Sequence, residues 1–179
     1  MLFPNLLRVL KAHASNAAAQ LLVLASLALF AALGISSAHA GSIVVGRSGP
    51  TNGCTVPSIQ AAINRANGFG GYNVILVTDD VANEVYRENL NLTNLRSDLR
   101  LEIIGGFNNC RDLTPTAFGK ASIYGGGTNA PVMNIEGQID RAMRGFWMEG
   151  GTNGITLNGR GSVELNGVTI NNNRAYGMH

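Results

Sequence analysis

The chain has 179 residues, 23 of them Gly, and only 13% of its residues are charged. Its net charge of +2 comes from Arg8 and Lys11, because eleven basic and eleven acidic residues follow residue 40. A domain with balanced charge and no cluster of Lys or Arg has no basic patch that would bind nucleic acid or anionic lipid. Both classes of partner are therefore excluded.

The first 40 residues have the pattern of a signal peptide. Arg8 and Lys11 supply a positive start, and an apolar run from Leu21 to Leu33 follows. The segment ends on a small-residue pattern at Ala40. The alternative is a retained membrane anchor, but the apolar run is shorter than the ~20 residues that span a bilayer. We predict cleavage after residue 40 and export to the periplasm, the cell exterior or the outer cell surface, with no membrane span after leader removal.

Cys54 and Cys110 are the only cysteines, and both follow the leader. Two cysteines in an exported chain are most simply paired, so the sequence predicts one disulfide; two free thiols are the alternative. His179 is the one histidine after the leader, and it is far in sequence from both cysteines. We predict no metal site and no cofactor.

Residues 41–70 are predicted to form an amino-terminal cap with one short helix. Ser58 is a suitable N-cap, and Asn67-Gly68 ends the apolar pattern. The apolar residues at helical spacing are Ile59, Ala62, Ile63 and Ala66. Because the segment is short, we expect the helix to cover another structure rather than to form a bundle.

Residues 71–179 are typical of short strands joined by tight turns. The first strand candidates are residues 73–78, 90–92 and 99–106, each bounded by Asp, Asn, Arg or Gly. After residue 40 the chain has 22 Gly and 18 Asn, residues that readily adopt the positive φ angles of tight turns. Short alternating runs of Val, Ile and Leu argue against disorder.

A repeat of 22 to 24 residues is visible in the second half of the chain. The tetrapeptide GGTN occurs at Gly126 and at Gly150, and each time an alternating apolar run follows. The matching segments are 144–148 with 166–170 at an offset of 22, and 132–136 with 155–159 and 122–124 with 145–147 at an offset of 23. Strands in a repeat of this length predict a parallel β-helix over residues 71–179. Calcium-binding β-rolls and leucine-rich repeats are alternatives, but the turns lack the Asp of the former and the later repeats lack the leucines of the latter.

Six motifs follow one another between residues 58 and 151: SIQAAINRA, NVILV, YRENLNL, LEIIGGFNNC, ASIYGGG and GFWMEGG. Together they resemble the amino-terminal part of bacterial right-handed parallel β-helix proteins of the pectin-lyase-like superfold, over nearly all of residues 43–179. The resemblance implies an all-β, right-handed parallel β-helix with the helix after Ser58 as its cap. It also implies that Cys54 and Cys110 join the cap to the early repeats.

The same motifs, YREN among them, also resemble pectin methylesterases, so catalysis has to be considered. The resemblance implies a Gln and two Asp on later repeats for the esterases. For the lyases it implies clustered acidic residues that hold calcium beside a basic residue. The acidic residues after Asp112 are sparse: Glu136, Asp140, Glu149 and Glu164. We therefore assign no catalytic residue and leave open whether the protein is an enzyme.

Three further polar groups are interpreted as structural. Asp79 and Asp80 are able to bind calcium, but an acidic turn is the simpler interpretation. Arg87 and Glu88 are expected to form an ion pair beside a strand. Residues 171–173 are all Asn, and we expect them to satisfy backbone groups at a corner of the fold.

One outward surface is a candidate ligand site. Strand alternation places Tyr124 and Trp147 outward on adjacent repeats, with Glu149 beside them, when Ile123 and Phe146 point inward. Stacked aromatic rings offer flat apolar faces to sugars, and Glu149, Arg144 or Asn171 is available to bind hydroxyl groups. We predict polysaccharide binding at these three outward residues. The alternatives are a loop that covers the rings, or aromatic residues that are exposed without a ligand.

Residues 175–179 align with the start of a further repeat. We expect either a β-helix truncated at its carboxyl end or self-association through the open end, because an unpaired parallel edge invites pairing. The predicted function is a secreted or cell-surface scaffold or carbohydrate-binding module without catalysis. The alternatives are a polysaccharide-active enzyme, lyase-like or esterase-like, whose catalytic repeats are missing or degenerate, and an adhesin-like segment that binds a protein.

Overall fold

The structure is a computed structural model that describes residues 41–47, 53–79, 85–111, 113–116, 119–127 and 129–179. For residues 138 and 139 it describes the backbone alone. The predicted signal peptide over residues 1–40 and the predicted turn residue Asp80 lie outside the described residues. Within the described part of the chain, no helix has the length and apolar character needed to cross a membrane.

Strands and one helix alternate with tight turns along the described chain. In chain order they are β1 (Gly41–Val45), α1 (Ile59–Phe69), β2 (Tyr72–Thr78), β3 (Val85–Arg87), β4 (Leu90–Leu92), β5 (Arg100–Phe107), β6 (Ala121–Tyr124), β7 (Met133–Arg144), β8 (Phe146–Glu149), β9 (Ile155–Asn166) and β10 (Thr169–Ile170). The predicted helix and the first strand candidates are confirmed to within one or two residues at their ends.

The strands form two sheets, and each pair of neighbouring strands is parallel. The first sheet has the order β1-β2-β5-β7-β4, and β9 also pairs with β7. The second sheet has the order β10-β8-β6-β3. Both sheets and α1 contribute to one apolar core, in which Ile59, Ile75 and Phe146 are fully buried. Burial of these side chains is the main stabilising contribution, at roughly 1.5–3 kcal/mol each.

The predicted all-β, right-handed parallel β-helix is wrong. The described chain forms a curled parallel sheet, a second parallel sheet and a helix packed on their common core, which is an α/β-like arrangement. The repeat spacing does not extend to the first half of the chain: Tyr72 lies opposite Arg100, 28 positions later, and Leu101 lies opposite Arg141, 40 positions later. In addition, β7 and β9 are continuous strands of 12 residues, whereas the sequence predicts short strands joined by tight turns.

The offset read from the sequence is partly right in the second half of the chain. β8 pairs with β10 at the predicted offset of 22. Residues of β7 pair with residues of β9 that lie 22 positions later, one fewer than the offset of 23 predicted for residues 132–136. The pairing of β6 with β8 is wrong by two positions, because Ser122 lies opposite Trp147 at an offset of 25. A shift of two residues keeps every side chain on its predicted face, since strand side chains alternate with a period of two.

The predicted disulfide joins Cys54 to Cys110, with a Cα–Cα distance of 5.0 Å. Next to Cys54, the Thr55 amide donates to the Val44 carbonyl at 2.7 Å, so this end of the bridge is anchored on β1. Cys110 lies after β5 and is buried beside Thr78 at the end of β2. The bridge therefore connects the segment before α1 to the carboxyl ends of two neighbouring strands.

Two side chains cap the amino end of α1. Ser58, the predicted N-cap, accepts a hydrogen bond from the Ala61 amide at 3.1 Å. The Glu88 carboxylate accepts from the Ile59 and Gln60 amides at 2.9 and 3.0 Å. An acidic group at this position satisfies amides that have no partner within the helix and complements the helix dipole. Glu88 therefore ties α1 to the link between β3 and β4, instead of forming the predicted ion pair with Arg87.

Replacement of Glu88 by alanine is expected to lower the free energy of unfolding by about 1–2 kcal/mol, because two helix amides lose a charged acceptor. Equilibrium unfolding in urea measures this change. Glu136→Ala is a matched control, since Glu136 is exposed and bonds to the neighbouring Asn134 side chain; we expect it to change stability by less than about 0.5 kcal/mol. Equal effects of the two substitutions would contradict the capping role of Glu88.

Candidate functional site

The outer face of the second sheet carries the three residues predicted to bind a ligand. Ile123 and Phe146 are fully buried, so Tyr124 and Trp147 point away from the core, as strand alternation predicts. Glu149 lies on the same face at the end of β8. The structure therefore brings the three predicted residues onto one surface, although not with the arrangement that the sequence suggested.

Trp147 is an exposed aromatic side chain on this face, with 41% of its surface accessible. Its indole Nε1 donates to Asn171 Oδ1 at 2.8 Å, which fixes the polar edge of the ring. In the sheet, Trp147 lies between Ser122 on β6 and Thr169 on β10. Because both flanking side chains are small, the indole is not packed between large neighbours.

Tyr124 and Trp147 are diagonal neighbours rather than a directly stacked pair. Tyr124 lies opposite Glu149 on β8 and opposite Arg87 on β3. The Arg87 guanidinium carbon is 5.1 Å from the centre of the Tyr124 ring, which is a cation–π contact. The direct neighbours of Tyr124 are thus one cation and one carboxylate.

A pocket of about 340 Å³ opens beside Tyr124. Its lining residues are Tyr124, Gly127, Glu149, Gly150, Asn172 and Arg174. Gly150 has a φ of 77°, and a Cβ there would lie 2.8 Å from Tyr124 Cζ and closer still to other ring atoms. A glycine is therefore required for the tyrosine ring to form the wall of the pocket.

Opposite charges meet at this pocket without neutralising one another. Glu149 Oε2 accepts from Asn172 Nδ2 at 3.0 Å. Arg174 donates from Nη1 to Asn129 Oδ1 at 3.1 Å and from Nη2 to the Gly127 carbonyl. Among the ion pairs of the described residues, none joins Glu149 to Arg174. The pocket therefore presents an acceptor and a donor group beside an aromatic wall.

The three consecutive asparagines have divided roles. Asn173 Oδ1 accepts from the Gly151 amide at 3.0 Å, which is the backbone role that the sequence predicts. Asn171 instead holds Trp147, and Asn172, with a φ of 50°, holds Glu149. Neither Arg87 nor Arg174 is predicted at this surface from the sequence. Asn171 lies at this surface as the sequence predicts, whereas Arg144 lies on β7 of the first sheet. The 22-residue offset between β8 and β10 is the signal that could also have placed Asn172 here.

A second polar groove, of about 230 Å³, lies on the first sheet, but its charges are paired with one another. Arg144 lies 3.2 Å from Glu102 and 3.8 Å from Glu164, and the Tyr72 hydroxyl donates to Glu102 at 2.6 Å. This hydrogen bond to a carboxylate raises the pKa of Tyr72. Exposed pairs of this kind contribute up to about 1 kcal/mol each, so we interpret the groove as part of the scaffold.

Arg141 is a buried cation at the edge of the same groove. Its Nη1 donates to the Asp140 carbonyl at 2.9 Å and to the Leu99 carbonyl. Burial lowers its pKa, and Nε has no hydrogen-bond partner among the described residues. Leu99 directly precedes β5 and Asp140 lies within β7, so Arg141 satisfies backbone acceptors of two neighbouring strands of the first sheet.

The predicted acidic turn at Asp79 is only partly described. The Asp79 amide donates to the Phe107 carbonyl at 2.6 Å, and partial burial raises the pKa of the Asp79 carboxyl group. Within the described residues, no group of three or more His, Cys, Asp or Glu side chains is positioned to hold a metal ion.

These features define a disulfide-linked protein of parallel strands with an exposed aromatic and polar surface on its second sheet. Comparison of the chain with protein-family models, with curated proteins and with solved structures finds no match. The resemblance to pectin-lyase-like proteins thus stays a prediction from sequence motifs, and the assignment of a function depends on the surface itself.

Proposed function

We propose that the protein is an exported, non-catalytic module that binds carbohydrate through the outer face of its second sheet. The observation that carries this proposal is Trp147, whose indole is exposed while its Nε1 is held by Asn171. A fixed aromatic ring loses little conformational entropy when it stacks on a ligand. The alternating apolar C–H groups of a sugar ring match such a flat surface.

The pocket beside Tyr124, the diagonal neighbour of Trp147, supplies the polar half of carbohydrate recognition. Glu149 accepts hydrogen bonds from sugar hydroxyls, and Asn172 and Arg174 donate them. Its volume of about 340 Å³ is at the small end of the range for ligand sites, which favours one or two sugar units held at an open surface. We therefore expect weak binding to each unit and stronger binding to a polymer.

The absence of catalysis is part of the proposal. Glycoside hydrolysis ordinarily needs two carboxyl groups about 5–9.5 Å apart, and among the described residues Glu149 is the only acidic one that lines this pocket. The polysaccharide-active enzyme and the adhesin-like segment remain the alternatives. Release of shortened glycan in the binding assay would favour the enzyme. Capture of a surface protein with no glycan binding would favour the adhesin.

Export is proposed from the leader and the disulfide together. The disulfide between Cys54 and Cys110 is stable in oxidising compartments such as the periplasm and the cell exterior. Recovery of a protein that begins at Gly41 from the periplasm or medium of an expressing bacterium would support both cleavage and export. A protein that keeps residues 1–40 and stays in the membrane fraction would overturn this part of the proposal.

Trp147→Ala is expected to weaken glycan binding at least tenfold. Covering an aromatic face contributes about 1.5–3 kcal/mol, and 1.4 kcal/mol corresponds to a factor of ten in Kd. A glycan array identifies the ligand, and titration calorimetry with that ligand then measures Kd. Asn171→Ala should weaken binding less, because the ring remains but is no longer fixed.

Phe69→Ala is the matched control for this experiment. Phe69 is also an exposed aromatic residue, with 59% of its surface accessible, but it lies on α1 and not on the second sheet. We expect it to leave the affinity unchanged. If no glycan on the array binds the wild-type protein, or if Trp147→Ala binds as well as wild type, the proposed surface is wrong.

Self-association is a separate proposal, made from the sequence and from the outer edge of β9. β9 pairs with β7 on one side. On its other side, among the described residues, only the first three residues of β9 are paired, with residues 177–179. Analytical ultracentrifugation of the purified chain over a range of concentrations tests whether this edge pairs between molecules.

A further inference from the structure

The unpaired part of β9 begins at Asn158. The first residues of the strand are covered, because Leu157 donates to the His179 carbonyl at 2.8 Å and the His179 amide donates to Ile155 at 3.0 Å. Residues 158–166 have no neighbouring strand on this side within the described part of the chain. An exposed edge of nine residues is long enough to template pairing with another strand.

The backbone groups that face this open edge belong to alternate residues. Ile155 and Leu157 direct their amides to it, whereas the Asn166 carbonyl accepts from Gly145 on the opposite side. Continued alternation places the amides and carbonyls of four residues on the open edge. They are Gly159, Gly161, Val163 and Leu165.

The side chains of the open edge form a self-complementary pattern centred on Ser162. On the outer face the order is Asn158, Arg160, Ser162, Glu164 and Asn166. The order is symmetric about Ser162: an amide stands at each end, and a charged side chain stands between each amide and Ser162. The two charged side chains, Arg160 and Glu164, have opposite signs. Charged residues on an edge strand usually prevent pairing, but here they complement one another in one antiparallel register.

We propose, as a specific form of the self-association proposed above, on which it rests, that a second copy of this chain pairs antiparallel with β9, with Ser162 of each copy opposite Ser162 of the other. Arg160 then lies opposite Glu164 of the second copy, and this ion pair occurs twice because the contact has twofold symmetry. All nine unpaired residues are used, since Asn158 meets Asn166 at both ends of the contact.

The backbone alternation agrees with this register. Gly161 lies opposite Val163 of the second copy, and both direct their amides and carbonyls across the contact, so they form a hydrogen-bonded pair. The Arg160–Glu164 pair is then of the non-hydrogen-bonded type, in which side chains come closest. A shift of the register by two residues keeps the hydrogen bonds but places Arg160 opposite Ser162 or Asn166, and the two ion pairs are lost.

The core side of the contact is complementary as well. Val163 and Leu165 are only partly buried at the end of the apolar core. In the proposed register Val163 lies beside Gly161 of the second copy, and Leu165 lies beside Gly159. Each larger apolar side chain thus meets a residue without a side chain. This contact lies on the first sheet, so it is independent of the proposed carbohydrate surface.

Charge reversal tests the ion pairs. Arg160→Glu and Glu164→Arg should each weaken dimerisation on the order of tenfold, because each places two like-charged pairs at the contact. The double variant Arg160→Glu with Glu164→Arg should restore the wild-type dimerisation constant in analytical ultracentrifugation. Arg65→Glu on α1 is the control with the same change of charge as Arg160→Glu. Thermal unfolding of each variant shows that the fold is intact, since Glu164 also lies 3.8 Å from Arg144.

Cysteine cross-linking tests the register. Ser162→Cys should form a disulfide between two copies under mild oxidation, because its Cα atoms would face one another within bonding range. Asn158→Cys or Asn166→Cys alone should not cross-link, whereas the chain with both should. A protein that stays monomeric at every concentration would overturn the proposal. So would a dimerisation constant that neither charge reversal changes, or a cross-link that forms through Asn158→Cys alone.

Discussion

Joint replacement of Cys54 and Cys110 by alanine is expected to lower the free energy of unfolding by about 4 kcal/mol. The bridge closes a loop with a sequence separation of 56 residues. Removing it restores the conformational entropy of that loop to the unfolded chain, and the chain-entropy relation gives about 4 kcal/mol for this length. A domain of this size has a total stability of only about 5–15 kcal/mol, so the loss is a large fraction of it.

Urea unfolding of the wild-type and double-alanine proteins, each without added reductant, measures the effect. A matched comparison is the wild-type protein with and without reductant, which removes the bond without changing the side chains. Both comparisons should give the same loss. If the double variant unfolds at the wild-type urea concentration, the bridge does not restrain the unfolded chain, and its proposed role in stability is wrong.

Several local features of the fold are predictable because neighbouring residues determine them. Ser58 caps α1 since a hydroxyl at that position satisfies a helix amide whatever the rest of the chain does. The buried faces of β6 and β8 follow from alternation alone, which is why Ile123 and Phe146 are buried although the predicted pairing of these strands is wrong by two residues.

The architecture is not predictable in the same way, because pairing between distant strands depends on the lengths of the connections. The predicted β-helix is wrong because the offset of about 22 residues does not hold in the first half of the chain. There, Val85 pairs with Ser122, and Leu90 pairs with Met133, 37 and 43 positions later. No local pattern near Val85 or Leu90 specifies these partners.

The candidate site shows the same division between local and distant determinants. The exposure of Trp147 follows from strand alternation. The contact of Arg87 with Tyr124, by contrast, needs two segments 37 positions apart to be paired, and the position of Arg174 depends on a turn that reaches back to Gly127. These contacts fix the shape and charge of the pocket, so its chemistry could be described only from the structure.

Gly145→Ala is expected to destabilise the protein by about 2–5 kcal/mol, by two separable effects. Gly145 has a φ of 69°, a conformation that costs an L-residue roughly 1–2 kcal/mol. A Cβ at this position would also lie 2.9 Å from the Gly105 carbonyl oxygen and closer still to that of Gly119. Both obstacles are backbone atoms of adjacent strands and turns, so relieving the overlap adds about 1–3 kcal/mol.

Gly167→Ala separates the two effects. Gly167 follows β9 as Gly145 follows β7, and its φ of 62° is nearly the same. The nearest atom to a Cβ there is the Gly145 nitrogen at 3.9 Å, so this alanine should show the conformational cost alone. The difference between the two variants in urea unfolding thus measures how closely the backbones approach at the bend between β7 and β8. Equal destabilisation by both alanines would mean that the chain relaxes freely at this bend, and the close packing of Gly105, Gly119 and Gly145 would not be a constraint on the fold.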